Sequence, residues 1–574
     1  MQQAKNIRDH QQATEVPRTL RRLLYLACAF LLLLLLVLLP PLISVNRYQH
    51  RIAASISASL GRPVHLDKVT LNLLPLPGFT LENFVVDEDP AFGSEPVIRA
   101  NSVRATLRIS SLWRHRVEFS TISFTEPSVN LVHTSNGKWN LDTILLHAAH
   151  IEAAPTAQRS AGPAPRFPYI EASGARLNLK LDNEKTPISL TDADFALWLP
   201  EPQQWHLRLS AHPARTDTDA SDTGLLEVEG TLGRAASLEQ VPVNLRGLWH
   251  NAPLGGASLI LLGRDAGLRG NLTLSANVQG TVGYSTMQTR LQLAGARRAE
   301  FVPSQPLDID IQCLGTATSA FYSFRNIHCS WPPAGSSEAP LLSLSAALPD
   351  IRHAASVSLS FGTPGLPVAT LLDWLRVASS RVPPDLTAAG TLTGNLFYGV
   401  RNSASGEASS PQWSGNILID GARLVNPSAG TASLITGNID LHSIQPLAPG
   451  AERNQRSTAP DGTYADRAFF LSPISLALGG KDPAILEGRF DTHGYALHLT
   501  GMASISRLKA FAEAIPPLSD NLADALPTNR ADGPFRVDLT ATRTWRSPQV
   551  WTDATRASTP HRANPSPPLV PPKT

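Results

Sequence analysis

Over most of this chain, apolar residues recur at every second position with polar residues between them. Successive side chains of a β-strand point to opposite faces of the sheet, so each such segment predicts a strand with one apolar and one polar face. This alternation is typical of antiparallel sheets, whereas strands buried on both faces are apolar throughout. The alternating segments are 103–109, 177–181, 206–210, 272–278, 307–313, 495–499 and 535–541.

A few short helices are predicted between the strands. Apolar residues every four positions predict a helix over 46–60, which Gly61 and Pro63 should end. The other predicted helices are 139–150, 368–379 and 504–514. The last two each follow a strand and precede a Pro-Pro pair, so we interpret them as parts of a degenerate internal repeat.

One apolar run, from Leu23 to Val45, has no equal elsewhere in the chain. It is long enough to cross a membrane, which takes ~20 residues. The leader before it is basic and should remain cytoplasmic; its arginines are Arg8, Arg18, Arg21 and Arg22. A cleaved signal would have an apolar region of only ~7–15 residues. We therefore expect an uncleaved single-pass anchor.

Composition narrows the fold class and the partners. The 47 prolines and 38 glycines favour many short strands over long helices. We expect a mainly β protein, in which a transmembrane helix precedes an elongated antiparallel body with a few short helices. The net charge is +2 and no basic block follows the leader, which argues against nucleic acid as a partner.

The expected organisation follows the changes in composition. The segments are a leader (1–22), the anchor (23–45), an N-terminal region (46–150), a linker (151–168), a β-rich middle region (169–400), a loop (401–412), a C-terminal β region (413–550) and a disordered proline-rich tail (551–574).

The sequence contains no convincing catalytic or metal-binding arrangement. Nucleophile elbows, phosphate-binding loops and zinc-protease motifs are all missing from it. His147 and His150 are too few to hold a metal. The acidic run 87–89, with Glu95, could hold calcium but is more typical of a solvated turn. We expect neither enzymatic activity nor a cofactor.

Cys313 and Cys329 are in phase with apolar neighbours, so both should point to the same face of adjacent strands. A disulfide and a pair of buried thiols are both compatible with this pattern, and no activating partner for catalysis is evident.

An ordered series of short motifs runs from residue 60 to residue 141. It resembles the N-terminal region of the AsmA family of bacterial envelope proteins. The residues that carry the resemblance are Gly61, Arg62, Pro63, Pro77, Gly78, Phe79, Asp89, Pro90, Trp113, Pro127, Gly137, Trp139 and Asn140.

The resemblance implies a protein anchored in the bacterial inner membrane, with its body in the periplasm and a role in outer-membrane assembly and lipid homeostasis. Larger members of that family are thought to carry phospholipid along a β-groove, and no catalytic residues carry over. Membrane phospholipid is therefore the expected partner. A scaffold that binds envelope assembly proteins is the alternative, and the oligomeric state is left open.

An apolar groove would need no reactive residue. A phospholipid carries about 30 tail methylenes at ~0.8 kcal/mol each, so exposing the tails to water costs on the order of 20 kcal/mol. A sheet with a continuous apolar face would remove most of that cost, although the same alternation also builds a packed β-sandwich. The candidate lining residues are Leu177, Leu179, Leu181, Leu207, Leu209, Ile309, Ile311, Leu497 and Leu499.

Overall fold

A computed structural model of the chain shows a mainly β protein. It describes residues 22, 25–32, 49–73, 76–112, 119–134, 138–141, 168–182, 184–201, 204–219, 222–235, 237–303, 306–319, 321–334, 340–351, 356–399, 412–443, 468–491, 494–522, 526, 533–544 and 549–553. Residues 25–32 are helical, but no helix among the described residues is long and apolar enough to span a membrane. Much of the predicted anchor, including residues 33–45, lies outside the described residues.

The helices are few and short. They are α1 (Gln49–Leu60), α2 (Ile109–Leu112), α3 (Leu254–Leu262), α4 (Val368–Ala378) and α5 (Ile505–Ala514), with 3-10 turns at Leu238–Gln240, Pro427–Ala429 and Pro516–Ser519.

The strands fall into three stretches along the chain. Those before residue 202 are β1 (Val64–His65), β2 (Lys68–Asn72), β3 (Gly78–Val86), β4 (Ile98–Leu107), β5 (Phe119–Thr125), β6 (Ser128–His133), β7 (Tyr169–Leu181) and β8 (Glu184–Glu201). The next are β9 (Gln204–Arg215), β10 (Leu225–Gly233), β11 (Pro242–Pro253), β12 (Leu268–Thr281), β13 (Tyr284–Arg298), β14 (Ile309–Thr318), β15 (Ser323–Trp331), β16 (Leu342–Leu348) and β17 (Ser358–Pro367). The last are β18 (Thr387–Gly399), β19 (Gln412–Val425), β20 (Ile435–Ser443), β21 (Phe469–Leu476), β22 (Ala484–Phe490), β23 (Gly494–Ala503), β24 (Phe535–Thr544) and β25 (Val550–Asp553).

The chain divides into two compact units. The first comprises residues 1–134, 138–186 and 190–205. In it β3 pairs with β1, β2 and β4, and β4 pairs with β5 and β6. Strand β7 then runs parallel to β5 and β6. Its core contains Val69, Leu81 and Val86, with Ile52 and Ile56 of α1 packed on it, as the four-residue spacing predicts.

The second unit comprises residues 206–574 together with two short segments. From β10 to β25 each strand pairs antiparallel with the next, so these strands form one uninterrupted meander. Helices α3, α4 and α5 follow β11, β17 and β23, which are six strands apart. Because alternate strands of a meander run in the same direction, all three helices begin at the same edge of the sheet. We call it the helical edge.

Several predicted boundaries need correction. The predicted loop 401–412 ends in Gln412, which begins β19, and the predicted tail begins with residues that belong to β25. In the predicted helix 139–150, Trp139 instead forms a β-bridge with His133. Residues 142–150, the linker 151–167, residues 401–411 and the tail from 554 lie outside the described residues.

Candidate functional site

The strands β10 to β18 of the second unit carry most of their apolar side chains on one side, which we call the apolar face. Directly paired residues share a face of the sheet, and the register pairs apolar residues from strand to strand. Leu274 is opposite Leu291, and Leu291 is opposite Ile311. One member from each strand, in order, is Val228, Leu245, Leu274, Leu291, Ile311, Cys329, Leu344, Phe361 and Leu396.

The apolar face is half-buried, while the opposite face of the same strands meets water. In β13 the half-buried Leu291 and Leu293 alternate with the exposed Arg290 and Gln292. The Arg290 guanidinium donates to both carboxylate oxygens of Asp310 on β14, at 2.8 and 2.6 Å. This hydrogen bonding lowers the pKa of Asp310.

Helices cover the two ends of this apolar stripe. At the N-terminal end, α3 packs with Trp249 and Leu272 in a buried cluster that also contains Val377 of α4. At the C-terminal end, Leu508 and Phe511 of α5 pack in a buried cluster with strands β21 to β24. Helix α4 also packs on β13, β17 and β18, so it covers part of the helical edge between these two clusters. The half-buried part of the apolar face lies beside these packed clusters.

The sequence-predicted lining residues divide between open and covered positions. Ile309 and Ile311 are half-buried on the apolar face, and Leu207 and Leu209 are half-buried in β9. Leu497 and Leu499, in contrast, are only 7% and 2% exposed because α5 covers them. We therefore remove these two from the open surface.

In the first unit, Leu177 and Leu179 are half-buried and Leu181 is 51% exposed, whereas their polar neighbours Asn178 and Lys180 are buried. The polar positions of β7 thus face the interior, which reverses the predicted orientation.

Sequence reasoning missed several members of the apolar face. They are Leu291, Leu293, Leu344, Phe361 and Leu396. The same two-residue alternation could have identified them. However, small residues such as Ser343, Ser345 and Gly362 are their neighbours, which weakens the contrast between apolar and polar positions.

Cys313 and Cys329 are paired in register on the apolar face, and a disulfide joins them. This bond links β14 to β15 next to a register shift between Leu314 and Thr316.

A buried polar network in the first unit contains several of the motif residues. Arg62 is 5% exposed, and its guanidinium lies 3.5 Å from Glu88 and 3.4 Å from Asp89. Asn140 is fully buried. Its side-chain Oδ1 accepts from the Val132 N–H at 3.0 Å, and its side-chain Nδ2 donates to Glu88 at 2.5 Å. These contacts join motifs that are far apart in the sequence and give them a structural role.

Other motif residues shape turns and strand ends. Gly61 has a φ of 67° just after α1, and a Cβ at Gly78 would lie 2.5 Å from the Ala105 carbonyl oxygen. Pro90 lies in a turn in which the Phe92 N–H donates to the Asp89 carbonyl. The carbonyls of three further motif residues, Pro63, Pro77 and Pro127, accept hydrogen bonds from backbone N–H groups. Phe79 packs on the core, and the ring of Trp139 lies 4.6 Å from that of His133. Trp113 and Gly137 lie outside the described residues.

The acidic run 87–89 is not the simple solvated turn that the sequence predicts. The Glu88 side chain is 1% exposed and ion-paired to Arg62, and Glu95 binds Lys180 at 2.5 Å. That hydrogen bond from Lys180 lowers the pKa of Glu95. In the described part of the chain no group of His, Cys, Asp and Glu residues could hold a metal ion, and His147 and His150 lie outside it.

Residues 19–186 match the model of the AsmA family. The match confirms the resemblance that the motif series indicates for this region. The match covers the motif series, the polar network and strands up to the start of β8, while the apolar face of the second unit lies beyond the AsmA match. No curated protein and no solved structure matches the chain.

Proposed function

We propose that this protein binds phospholipid tails on the apolar face of β10–β18 and transfers them passively between membranes of the bacterial envelope. The observation that carries the proposal is the half-buried aliphatic surface, kept in register over nine successive strands. A lipid tail bound here and the surface beneath it would both lose contact with water. This burial would stabilise the complex by ~25 cal/mol per Å² of apolar area.

The proposal includes an inner-membrane anchor at residues 23–45 and a periplasmic body. Its support is the long apolar run behind a basic leader, together with the AsmA-family match, which begins at residue 19. A disulfide between Cys313 and Cys329 is also compatible with an oxidising compartment such as the periplasm.

The role that we propose is carriage rather than chemistry. Moving a lipid along an aliphatic surface requires no nucleophile, acid or base. The face is mainly Leu, Ile, Val and Phe with a disulfide, and Thr289 and Trp331 also lie on it. Protein partners in envelope assembly remain the alternative for this chain, and the experiment below separates the two.

The test places a charge on either face of one strand. Ile311→Asp puts a carboxylate on the apolar face, and Leu314→Asp puts one on the opposite face, where Leu314 is 51% exposed. The full chain, purified in detergent, is labelled with a phospholipid that carries a photoreactive tail, and the adducts are counted by mass spectrometry. We expect Ile311→Asp to lose most of the labelling and Leu314→Asp to retain it.

Equal labelling of both variants and the unchanged chain would contradict lipid binding on this face. If envelope function also survived Ile311→Asp, the scaffold alternative would be favoured.

A further inference from the structure

A cavity of about 340 Å³ lies beside the apolar face, at its helical edge. Helix α4 provides one wall and the approach to β14 and the end of β15 provide the other. The residues that surround it are Pro306, Leu307, Asp308, Trp331, Ala369, Thr370, Asp373 and Trp374.

The chemistry of this cavity is that of a cation site. It combines two carboxylates, Asp308 and Asp373, with two indole rings, Trp331 and Trp374, and none of its eight described residues is basic. The face of an indole ring attracts a cation, most strongly where water is partly excluded. An anionic group would meet the Asp308 carboxylate, and none of the lining residues is basic.

Both carboxylates are held in place by the fold. Asp308 accepts a hydrogen bond from the Gly295 N–H at 2.7 Å through one oxygen. Asp373 pairs with Arg376 at 2.9 Å, but Arg376 is itself fixed by the carbonyls of Pro383 and Leu386 and lies over the Phe301 ring. This ion pair neutralises much of the charge of Asp373, so Asp308 is the main negative group of the cavity.

The cavity is continuous with the apolar face. Trp331 is on that face, directly opposite Leu342, and Asp308 immediately precedes Ile309. A lipid whose tails lie on Ile309 and Ile311 would have its headgroup next to Asp308 and Trp331.

We propose that this cavity binds the ammonium headgroup of a phospholipid and selects ethanolamine over glycerol headgroups. The inference rests on the proposed lipid-binding function and adds the class of lipid. The cavity would recognise an organic ammonium group, which both a lipid headgroup and a free amine carry.

The experiment compares two photoreactive phospholipids with the same tails, one with an ethanolamine headgroup and one with a glycerol headgroup. The full chain in detergent is labelled by equal amounts of the two, and adducts on β14 and β15 are counted. We expect the ethanolamine lipid to dominate in the unchanged chain. Asp308→Asn, which keeps the acceptor for Gly295, should reduce that preference by about two- to fivefold, the range of one exposed ion pair or cation–π contact.

Trp331→Leu provides a second variant, because it removes an indole ring and keeps an apolar side chain. It should reduce the preference by a similar factor. Asp310→Asn is the matched control, since Asp310 is a carboxylate two residues further along that pairs with Arg290 and does not line the cavity. It should leave the preference unchanged.

The outcomes separate the two proposals. Equal labelling by the two lipids, or a preference unchanged in both Asp308→Asn and Trp331→Leu, overturns the headgroup site while leaving lipid binding intact. If neither lipid labels the apolar face, the proposed function itself fails. Protection by free phosphoethanolamine would assign recognition to the headgroup alone, and preference without such protection would assign it to the intact lipid.

Discussion

Arg62 shows how a single residue can hold distant motifs together. Its side chain is buried and faces both Glu88 and Asp89, and it also donates to the Asn140 carbonyl at 3.3 Å. A buried charge without a partner is strongly destabilising, whereas a buried pair with hydrogen bonds is tolerated. The network therefore couples the end of α1 to the chain that follows β3 and β6.

Arg62→Ala should destabilise the first unit by about 3–5 kcal/mol, because Glu88 would remain buried without its ion-pair partner. Lys68→Ala is the matched control: it breaks the exposed Lys68–Glu82 pair of 3.3 Å, and the expected loss is below about 1 kcal/mol. Hydrogen–deuterium exchange of the amides in β3 and β4 measures both. Similar losses of protection in the two variants would argue against the role of the buried network.

His498 gives the second unit a pH-dependent contact. Its Nε2 lies 2.8 Å from Asp538 and its Nδ1 lies 3.5 Å from Glu487. The hydrogen bond with Asp538 is the main cause that raises the pKa of His498 above its ordinary value, and partial burial opposes it. The folded state therefore binds the proton more tightly than the unfolded state. The resulting stability is fully present below the unfolded pKa of about 6.5 and is lost as the pH rises through the folded pKa.

His498→Gln should therefore lower the midpoint of unfolding more at pH about 5.5 than at pH about 8.5. The side chain is 40% exposed, so the difference should stay below about 1 kcal/mol. Urea denaturation at the two pH values measures it. A loss of stability of the same size at both pH values would show that the charged imidazole of His498 does not stabilise the fold.

Asn178 and Lys180 show what alternation alone leaves undetermined. A two-residue period separates two faces of β7, but it does not say which face the rest of the unit covers. The polar face is covered here because Asn130 accepts from Asn178 at 3.1 Å and Glu95 binds Lys180. Both partners are distant in sequence, so no local pattern could have revealed them.

At the scale of elements, α5 closes the C-terminal end of the apolar surface. Ser504 precedes it, and its hydroxyl accepts from the Arg507 N–H, as expected of a residue at a helix start. Leu508 and Phe511 then pack against the strands, with exposed fractions of 0% and 2%. This packed end, unlike the half-buried strands before it, is covered by α5 together with Leu518, Leu522 and Leu526.

Leu508→Ala should destabilise this end by about 2–5 kcal/mol, because it removes a fully buried side chain and leaves a cavity. Leu375→Ala on α4 is the control: Leu375 is 48% exposed, and the expected change is within about 0.5 kcal/mol. Amide exchange in β23 and β24 reports the effect. Unchanged protection after Leu508→Ala would mean that α5 does not stabilise the strands below it.

The sequence predicted α4 and α5 closely but not α3. The first two show apolar residues at helical spacing and end near Pro-Pro pairs. Helix α3 (LGGASLILL) has no charged residue, so it shows no amphipathic period. Its place could be recognised only from the structure, where it follows β11 as α4 follows β17. The strands were more predictable, since their alternation survives in nearly every segment.

At the scale of the second unit, the helices and the sheet together set the length of the open surface. Nine strands at ~4.8 Å spacing give the apolar face a width of about 40 Å, compared with ~30 Å for the hydrocarbon core of a bilayer. Two lipid tails that lie end to end across the strands would fit within it. Beyond β18 the same face becomes increasingly buried and is finally covered by α5, so it does not continue as an open path to the end of the unit.

A map of lipid adducts along the whole chain tests whether the open apolar surface ends before the strands that α5 covers. After labelling with a phospholipid that carries a photoreactive tail, we expect adducts on peptides from β12 to β16 and none on β23, because Leu497 and Leu499 are inaccessible beneath α5. Leu508→Ala, which loosens that cover, should extend the adducts toward β23. Labelling of β23 in the unchanged chain, at the level seen for β14, would mean that the helix opens readily and that the apolar path is longer. Labelling confined to β12–β16 would instead favour a carrier that loads lipid from its side.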